Sequence, residues 1–281
     1  MEIRWALKVT NLYRGLSAVL LLVFVLVLPV QAESLLVGGT GSASPLISLL
    51  IEEFNKQAPN VNVSLVSPPL GSGGGMKSLL AGRIDLAVIS RPVKEEEKVV
   101  IGRHFELGRT PLALFTNGGQ RRSGFTLDEL ASVYEGRLQT WDNNIPIRLV
   151  LRTRDDSDSL QLKSMSAAME KAVAAADQRQ GMVRGLDDLD TIEILARTRG
   201  SLGPSNLGLM RTMGSALMAL PINGVTPSVA ALKDGRYPWY KVLMVVLPVK
   251  ASPAAEKFAD FMRSSKAGAM MLRYEFLPAS Q

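Results

Sequence analysis

Three short segments of the chain are rich in hydroxyl side chains and glycine, and each lies where a predicted strand gives way to a predicted helix. They are Thr40-Gly41-Ser42, Ser72-Gly73-Gly74 and Ser157-Asp158-Ser159. A helix N-terminus offers unpaired N–H donors and the positive end of the helix dipole, which together bind anions. Glycine allows close approach of the backbone, and a serine hydroxyl adds a donor. A serine at one helix start is most simply a cap, but three such segments indicate a shared oxyanion site.

Two arginines that follow apolar, strand-like runs could complete this site. They are Arg91 and Arg152. Ligands of α/β folds bind at the carboxyl ends of strands, and a planar guanidinium can pair with two oxygens of a tetrahedral anion. For Arg152 an alternative stays open, because it could instead pair with Asp155 or Asp156 on its own loop.

The scarcity of other reactive residue types excludes most enzyme chemistry. The chain has no cysteine and a single histidine, His104. This excludes disulfides, thiol nucleophiles, iron–sulfur clusters and metal sites built from several histidines. The segment 71–78 resembles a nucleotide-binding phosphate loop, but Met76 stands where that motif needs glycine. No Gly-x-Ser-x-Gly elbow is present. We therefore expect a binding protein with no catalytic residue, no metal and no cofactor.

The first 32 residues have the pattern of a secretory signal. Basic residues precede an apolar run over 16–28, and Val30-Gln31-Ala32 places small residues where signal peptidase cleaves. The alternative is a membrane anchor, but the apolar run is shorter than the ~20 residues that a spanning helix needs. The sequence predicts cleavage after Ala32 and a mature protein in the periplasm.

Composition and patterning predict a soluble α/β protein. Of the 281 residues 47% are hydrophobic, and the net charge is +6 without a run of like charges, which speaks against nucleic-acid binding. A chain of this size tends to divide into two cores. Strand-like and helix-like segments alternate almost throughout. The predicted strands cover 34–37, 61–66, 84–89, 111–115, 147–151, 215–220 and 242–247.

The helix predictions depend on apolar spacing and on capping residues. Thr126 and Glu129 form a capping box, and Ser252-Pro253 is typical of a helix start. The segment 71–75 is predicted as a loop that leads into a short helix ending near Gly82. One helix is predicted through Leu162, Met165, Met169 and Val173, and 177–200 is predicted to be helical.

Five segments, in chain order, resemble the phosphate-binding proteins of ABC uptake systems. They are Gly39–Leu46, Gly71–Lys77, Asp85–Pro92, Tyr134–Gly136 followed by Trp141, and Asn223–Val225 followed by Gly235–Pro238. The resemblance spans the mature chain and implies a type II periplasmic-binding fold, an α/β fold of two domains joined by two hinge crossings. Residues 33–115 plus 238–281 would form the first domain and residues 116–237 the second. Domain closure would hold an anion in the cleft.

The resemblance also implies the residues that hold the ligand. In the family a first-loop hydroxyl and amides, a second-loop serine, and an arginine with a hydroxyl turn from the second domain hold phosphate. Together with the loop glycines and the first arginine, the expected ligand-binding residues are Gly41, Ser42, Ser72, Gly73, Arg91, Arg152, Ser157 and Ser159.

Two positions depart from the family pattern. Asp158 stands where the family usually has glycine, and a carboxylate beside an oxyanion repels it unless it points away or caps the helix. Arg91 stands where well-known members carry a proton-accepting aspartate, although other branches have Ser-Arg-Pro there. Without that acceptor, sulfate, molybdate and tungstate stay open beside phosphate.

The resemblance implies a partner as well as a ligand. The expected function is to deliver phosphate to an ABC transporter permease in the inner membrane, and the protein is expected to be a monomer. A sensory or regulatory binding module with the same fold is the alternative.

Overall fold

The computed structural model describes residues 32–119 and 122–280, so the predicted signal segment lies outside the described residues except for Ala32. The described strands are β1 (Glu33–Gly39), β2 (Val61–Leu65), β3 (Leu86–Ile89), β4 (His104–Thr116), β5 (Arg148–Arg152), β6 (Val183–Gly185), β7 (Ser201–Asn206), β8 (Met218–Leu220), β9 (Tyr240–Val246) and β10 (Leu277–Pro278). The described α-helices are α1 (Ser44–Gln57), α2 (Gly71–Leu80), α3 (Glu95–Lys98), α4 (Leu127–Glu135), α5 (Ser157–Ser164), α6 (Ala167–Gln178), α7 (Asp188–Arg197), α8 (Leu207–Thr212), α9 (Val229–Lys233), α10 (Pro253–Met262) and α11 (Ser265–Arg273).

The strands form one mixed sheet in the order β2-β1-β3-β9-β4-β7-β5-β6, with β8 and β10 also paired to β4. β1 and β3 are parallel, as are β5 and its neighbours β6 and β7. β9 is antiparallel to both β3 and β4. The long strand β4 pairs first with β9, through Pro111, and then with β7 and β8. It therefore joins the two parallel parts of the sheet.

The described residues contain four clusters of buried hydrophobic side chains along this sheet, and the two largest are the first and the second core. The first contains side chains of β1, β3 and β9 packed against α1, α10 and α11. The second contains side chains of β4, β5 and β7 packed against α4 and α6. β4 contributes Leu107 to the first core and Leu112 and Leu114 to the second. In both cores helices pack against a face of the sheet, which is the arrangement of an α/β protein.

The capping residues place several helices where the sequence predicts them. The side chain of Thr126 accepts a hydrogen bond from the backbone N–H of Glu129, and Glu129 bonds back to Thr126, so the predicted capping box is present at the start of α4. Ser252 caps α10, which begins at Pro253. The predicted starts of α4 and α10 are confirmed.

Other predicted elements are wrong in their bounds. The predicted strand 111–115 is the second half of β4, which begins at His104. The single helix predicted through Leu162 and Val173 is two helices, because Ser166 caps a new helix, α6. The region 177–200 is not wholly helical, since it contains β6 before α7. β6 is a strand because it pairs with β5 in the folded chain. No local sequence pattern predicts it.

The glycine-rich segment 71–75 forms the first half of α2 and is not the predicted loop. Its glycines are poor helix formers, so packing decides the outcome. Met76 and Leu79 are buried under the helix. Gly75 lies directly against β1, where an added Cβ would be 2.7 Å from the Cα of Gly39.

Two glycine substitutions in α2 are expected to have opposite effects. In Gly75→Ala the new Cβ would clash with the backbone of β1 at Gly39 and push α2 away from the sheet. We therefore expect a loss of about 1–3 kcal/mol in the free energy of unfolding. Gly73→Ala meets no atom within 4 Å, so the better helix propensity of alanine should add about 0.5–1 kcal/mol. Urea unfolding of both variants tests this pair. Equal effects would contradict the close approach of α2 to β1.

No helix in residues 32–119 or 122–280 is both long enough and apolar enough to cross a bilayer.

Candidate anion-binding site

A cavity of about 840 Å³ opens at the carboxyl ends of β3 and β5 and at the starts of α2, α5 and α7. Six of the eight predicted site residues line it: Gly41, Ser72, Gly73, Arg91, Arg152 and Ser157. Ser42 and Ser159 are buried and are not among its lining residues. The structure therefore brings most of the predicted site together, although the segments are far apart in the chain.

Hydroxyl groups from four segments form a connected cluster, Thr40, Ser42, Ser72, Ser90 and Ser157, called here the hydroxyl cluster. Thr40 Oγ1 lies 2.7 Å from Ser42 Oγ and donates to Ser90 Oγ at 3.0 Å. The backbone N–H of Ser42 donates to Thr40 Oγ1 at 3.2 Å. The loop after β1 thus directs Ser42 toward Thr40, which itself lines the cavity.

Ser90 is the centre of the hydroxyl cluster. Its backbone N–H donates to Ser72 Oγ at 3.0 Å, and its Oγ lies 3.2 Å from Ser72 Oγ. On the other side Ser90 Oγ lies 3.3 Å from Ser157 Oγ. Ser90 is not among the site residues that the sequence predicts. The available signal was its position directly after the buried strand β3, at the edge where α/β folds bind ligands.

The helix starts around the cavity differ in how they are capped. The N-cap residue of α2 is Leu70, whose side chain makes no capping bond. Asp156 caps α5 by accepting from the N–H of Asp158 at 2.9 Å, and Asp187 caps α7. Of these three starts, α2 alone lacks a side-chain cap, so its first N–H groups have no side-chain acceptor.

Arg91 lies in the cavity wall, but its guanidinium is already paired. Nη1 and Nη2 donate to the two carboxylate oxygens of Glu97 at 2.8 and 2.6 Å, and Nη1 also donates to the carbonyl of Pro92. Arg91 holds the pKa of Glu97 below its usual range through this hydrogen bond. The expected anion contact of Arg91 would have to share the guanidinium with Glu97.

Arg152 is almost fully buried, with 2% of its side chain exposed. Nε and Nη2 donate to the two oxygens of Asp156 at 3.2 and 2.9 Å. Nη1 donates to Thr191 Oγ1 at 2.8 Å and to the carbonyl of Gly185 at 3.3 Å. The alternative that the sequence left open, pairing with Asp156 on its own loop, is therefore present.

Arg152 and Asp156 belong to a group of five buried or half-buried charges, called here the charge cluster: Arg152, Lys241, Asp156, Asp158 and Asp188. Lys241 Nζ lies 2.7 Å from Asp158 Oδ1 and 3.3 Å from Asp188 Oδ1. Arg152 lies 3.5 Å from Asp158 and 3.7 Å from Asp188. Three carboxylates and two cations give the cluster a formal charge of −1. No group of acidic or histidine side chains in the described ranges is arranged to hold a metal ion.

Burial and the neighbouring charges shift the pKa values of Asp158 and Lys241. Burial, together with Asp156 and Asp188, raises the pKa of Asp158 to about 6 against the opposing effect of Lys241. Burial alone lowers the pKa of Lys241, but the carboxylates, Asp158 foremost, outweigh it and raise that pKa. Lys241 was not selected by the sequence analysis, because nothing local marks a lysine inside an apolar strand.

Asp158 points away from the cavity, which is one of the two alternatives that the sequence left open for it. Its side chain is 1% exposed and turns inward to Lys241. The cap of α5 is Asp156 and not Asp158. The Lys241 cation explains this orientation, since a buried carboxylate needs a partner of opposite charge. Gly41 lies beside the same cluster, because a Cβ there would be 3.2 Å from Asp188 Oδ2.

Comparisons with known proteins agree with this architecture. A family model described as a PBP superfamily domain matches residues 29–266. The protein SphX of Synechococcus elongatus is 28% identical over 280 residues, which cover 89% of this chain and 80% of that protein. The phosphate-binding protein PstS of Bacillus subtilis is 22% identical over 238 residues, 82% of this chain and 75% of its own.

A solved structure shares the fold. The crystal structure of a protein from Clostridium perfringens with bound phosphate superposes with a TM-score of 0.75 at 17% identity, covering 88% of this chain and 100% of that one. The likeness confirms the fold class predicted from the sequence.

Proposed function

Because the chain belongs to the PBP superfamily and has the type II periplasmic-binding fold, we propose that it binds inorganic phosphate and delivers it to an ABC transporter. The hydroxyl cluster is the observation that carries this proposal. It places hydroxyl donors beside the uncapped start of α2. The name of the phosphate-binding protein of Bacillus subtilis supports phosphate as the anion, and the ABC-type phosphate transport receptor from Vibrio cholerae, which shares the fold, supports transport over a sensory module.

The proposed ligand contacts come from both sides of the cavity. Ser72, Gly73 and the backbone N–H groups at the start of α2 would hold one face of the anion, with Gly41 and Ser42 behind them. Ser157 would approach from α5, and Arg152 would supply positive charge. A hydroxyl can rotate to donate to whichever anion oxygen is nearest. Ser90 contacts both Ser72 and Ser157, so it would hold these two serines at a fixed distance from each other.

We propose that the two cores belong to two domains that close over the anion. The division would be 33–115 plus 238–281 against 116–237, with the crossings in β4 and near β9. The separate cores on either side of β4 support it. Ser90 and Ser157 would then be a contact across the cleft, and hinge closure around a ligand is common for such folds.

The proposed setting is the periplasm, with the permease of an inner-membrane transporter as partner. The resemblance of residues 1–32 to a signal and the transport names of relatives support it. The protein would act as a monomer that binds without catalysis and without a cofactor.

Calorimetry of the purified mature chain with phosphate, sulfate, molybdate and tungstate tests the proposed function. We expect phosphate to bind with a dissociation constant of about 1 µM or tighter, which corresponds to about 8 kcal/mol. Small-angle scattering should show a smaller radius of gyration with phosphate present. Preference for another of these anions would reassign the ligand. Binding of none of them would refute the proposed function, and binding without compaction would refute closure.

A further inference from the structure

A protein carboxylate occupies the position on Arg152 that an oxyanion would take. The Nε and Nη2 groups of Arg152 form two side-by-side bonds to Asp156, at 3.2 and 2.9 Å. This two-point geometry is the one that guanidinium uses for carboxylate and phosphate alike. The other edge of the guanidinium is held by Thr191 and Gly185. An anion that makes this two-point contact with Arg152 must therefore replace Asp156.

Asp156 is also the most exposed of the three carboxylates around Arg152. It lines the cavity, and 20% of its side chain is exposed against 2% for Arg152. Asp158, by contrast, is 1% exposed and is held by Lys241. Removing Asp156 from Arg152 would leave the cation with Asp158 and Asp188 at 3.5 and 3.7 Å. The guanidinium would remain compensated while its outer edge opened to the cavity.

We propose that Asp156 is a built-in competitor for Arg152 and that it makes the site selective for divalent oxyanions over monovalent carboxylates. The inference rests on the proposed function, because it concerns the anion that would bind in this cavity. A tethered carboxylate has a high effective concentration at its partner. A free monocarboxylate such as formate offers Arg152 the same two oxygens and the same charge, so it gains nothing by the exchange. A divalent tetrahedral anion brings more charge and further oxygens for the hydroxyl cluster.

The test compares two variants that remove the same charge from the same cavity. Asp156→Asn weakens the bond to Arg152, and asparagine still caps α5 well. Asp155→Asn is the matched control, because Asp155 is exposed, lines the cavity and forms no ion pair with Arg152 within the described residues. Asp156→Ser, which also keeps a capping side chain, is a second variant if the asparagine protein fails to fold. Calorimetry with phosphate and with formate is the measurement.

We expect Asp156→Asn to bind phosphate about tenfold more tightly than the wild type and to bind formate measurably. Asp155→Asn should change phosphate affinity less than about threefold and should not bind formate. In the wild type, formate should not compete with phosphate. Equal gains in both variants would reduce the effect to general electrostatics and overturn the inference. Weaker phosphate binding in Asp156→Asn, or formate competition in the wild type, would also overturn it. Failure of wild type and variants alike to bind phosphate or sulfate would instead refute the proposed function.

Discussion

Replacing Lys241 by methionine is expected to lower the free energy of unfolding by about 3–5 kcal/mol. Lys241 is 1% exposed and is the cation nearest to both Asp158 and Asp188. Without it, Arg152 would face three carboxylates alone, and the formal charge of the cluster would fall from −1 to −2. Methionine keeps most of the volume, so the loss would come from uncompensated charge and not from a cavity.

Chemical unfolding at neutral pH measures this effect, and two further variants define its cause. Lys250→Met removes a lysine that is exposed and should leave the stability unchanged. In Lys241→Met combined with Asp158→Asn the charge returns to −1, so the double variant should recover part of the loss. A double variant as unstable as the single one would show that packing, and not charge, accounts for the effect.

Arg152→Ala is expected to weaken phosphate binding by about 2–4 kcal/mol, the cost of losing a desolvated charge partner. The variant removes the buried donor fork and leaves Asp156, Asp158 and Asp188 with Lys241 as the remaining cation of the cluster, so the cavity would repel an anion. The stability should fall as well, because Arg152 holds Asp156 in this structure. Arg152→Lys should lie between, since it keeps the charge but loses the fork.

Calorimetry and thermal unfolding of the same variants separate the two effects of Arg152. Arg154→Ala is the control, because Arg154 is exposed two residues along the chain, and its affinity should stay close to that of the wild type. If Arg152→Ala lowers the melting temperature but leaves phosphate affinity intact, Arg152 serves only to pair with Asp156. The prediction that Arg152 binds the anion would then be wrong.

The parts of the fold that the sequence predicts well are those with a strong local pattern. β3 and β9 are apolar runs, and α4 and α10 carry capping residues. β7 lacks such a signal, because Ser201–Asn206 contains glycine and proline and has no β-branched residue. β7 is held in the sheet by its pairing with β4 and β5. Pro204 pairs with β4 at Leu114, whereas the pairing of β5 with this strand is at Ser201 and Leu202 and does not include Pro204, so the missing N–H is tolerated.

The residues of the candidate site also fall into those that a local pattern predicts and those that only the fold brings together. Ser72 and Ser157 could be predicted because hydroxyls near a helix start carry a local meaning, and the structure brings both to Ser90. The charge cluster could not be predicted, since it joins β5, α5, α7 and β9. Lys241 is separated from Asp158 by more than 80 residues of chain, and only the fold shows that they pair.

The place of β9 between β3 and β4 makes the folding of the first part of the sheet depend on a segment more than a hundred residues further along the chain. β3 and β4 are both complete by residue 116, yet β9, which pairs with both, spans Tyr240–Val246. A folding chain therefore has two strand edges without a partner until residues 240–246 join the sheet. Non-local pairing of this kind is slow, because the intervening loop must close first. The two parts of the sheet cannot be joined in sequence order, and β9 completes them together.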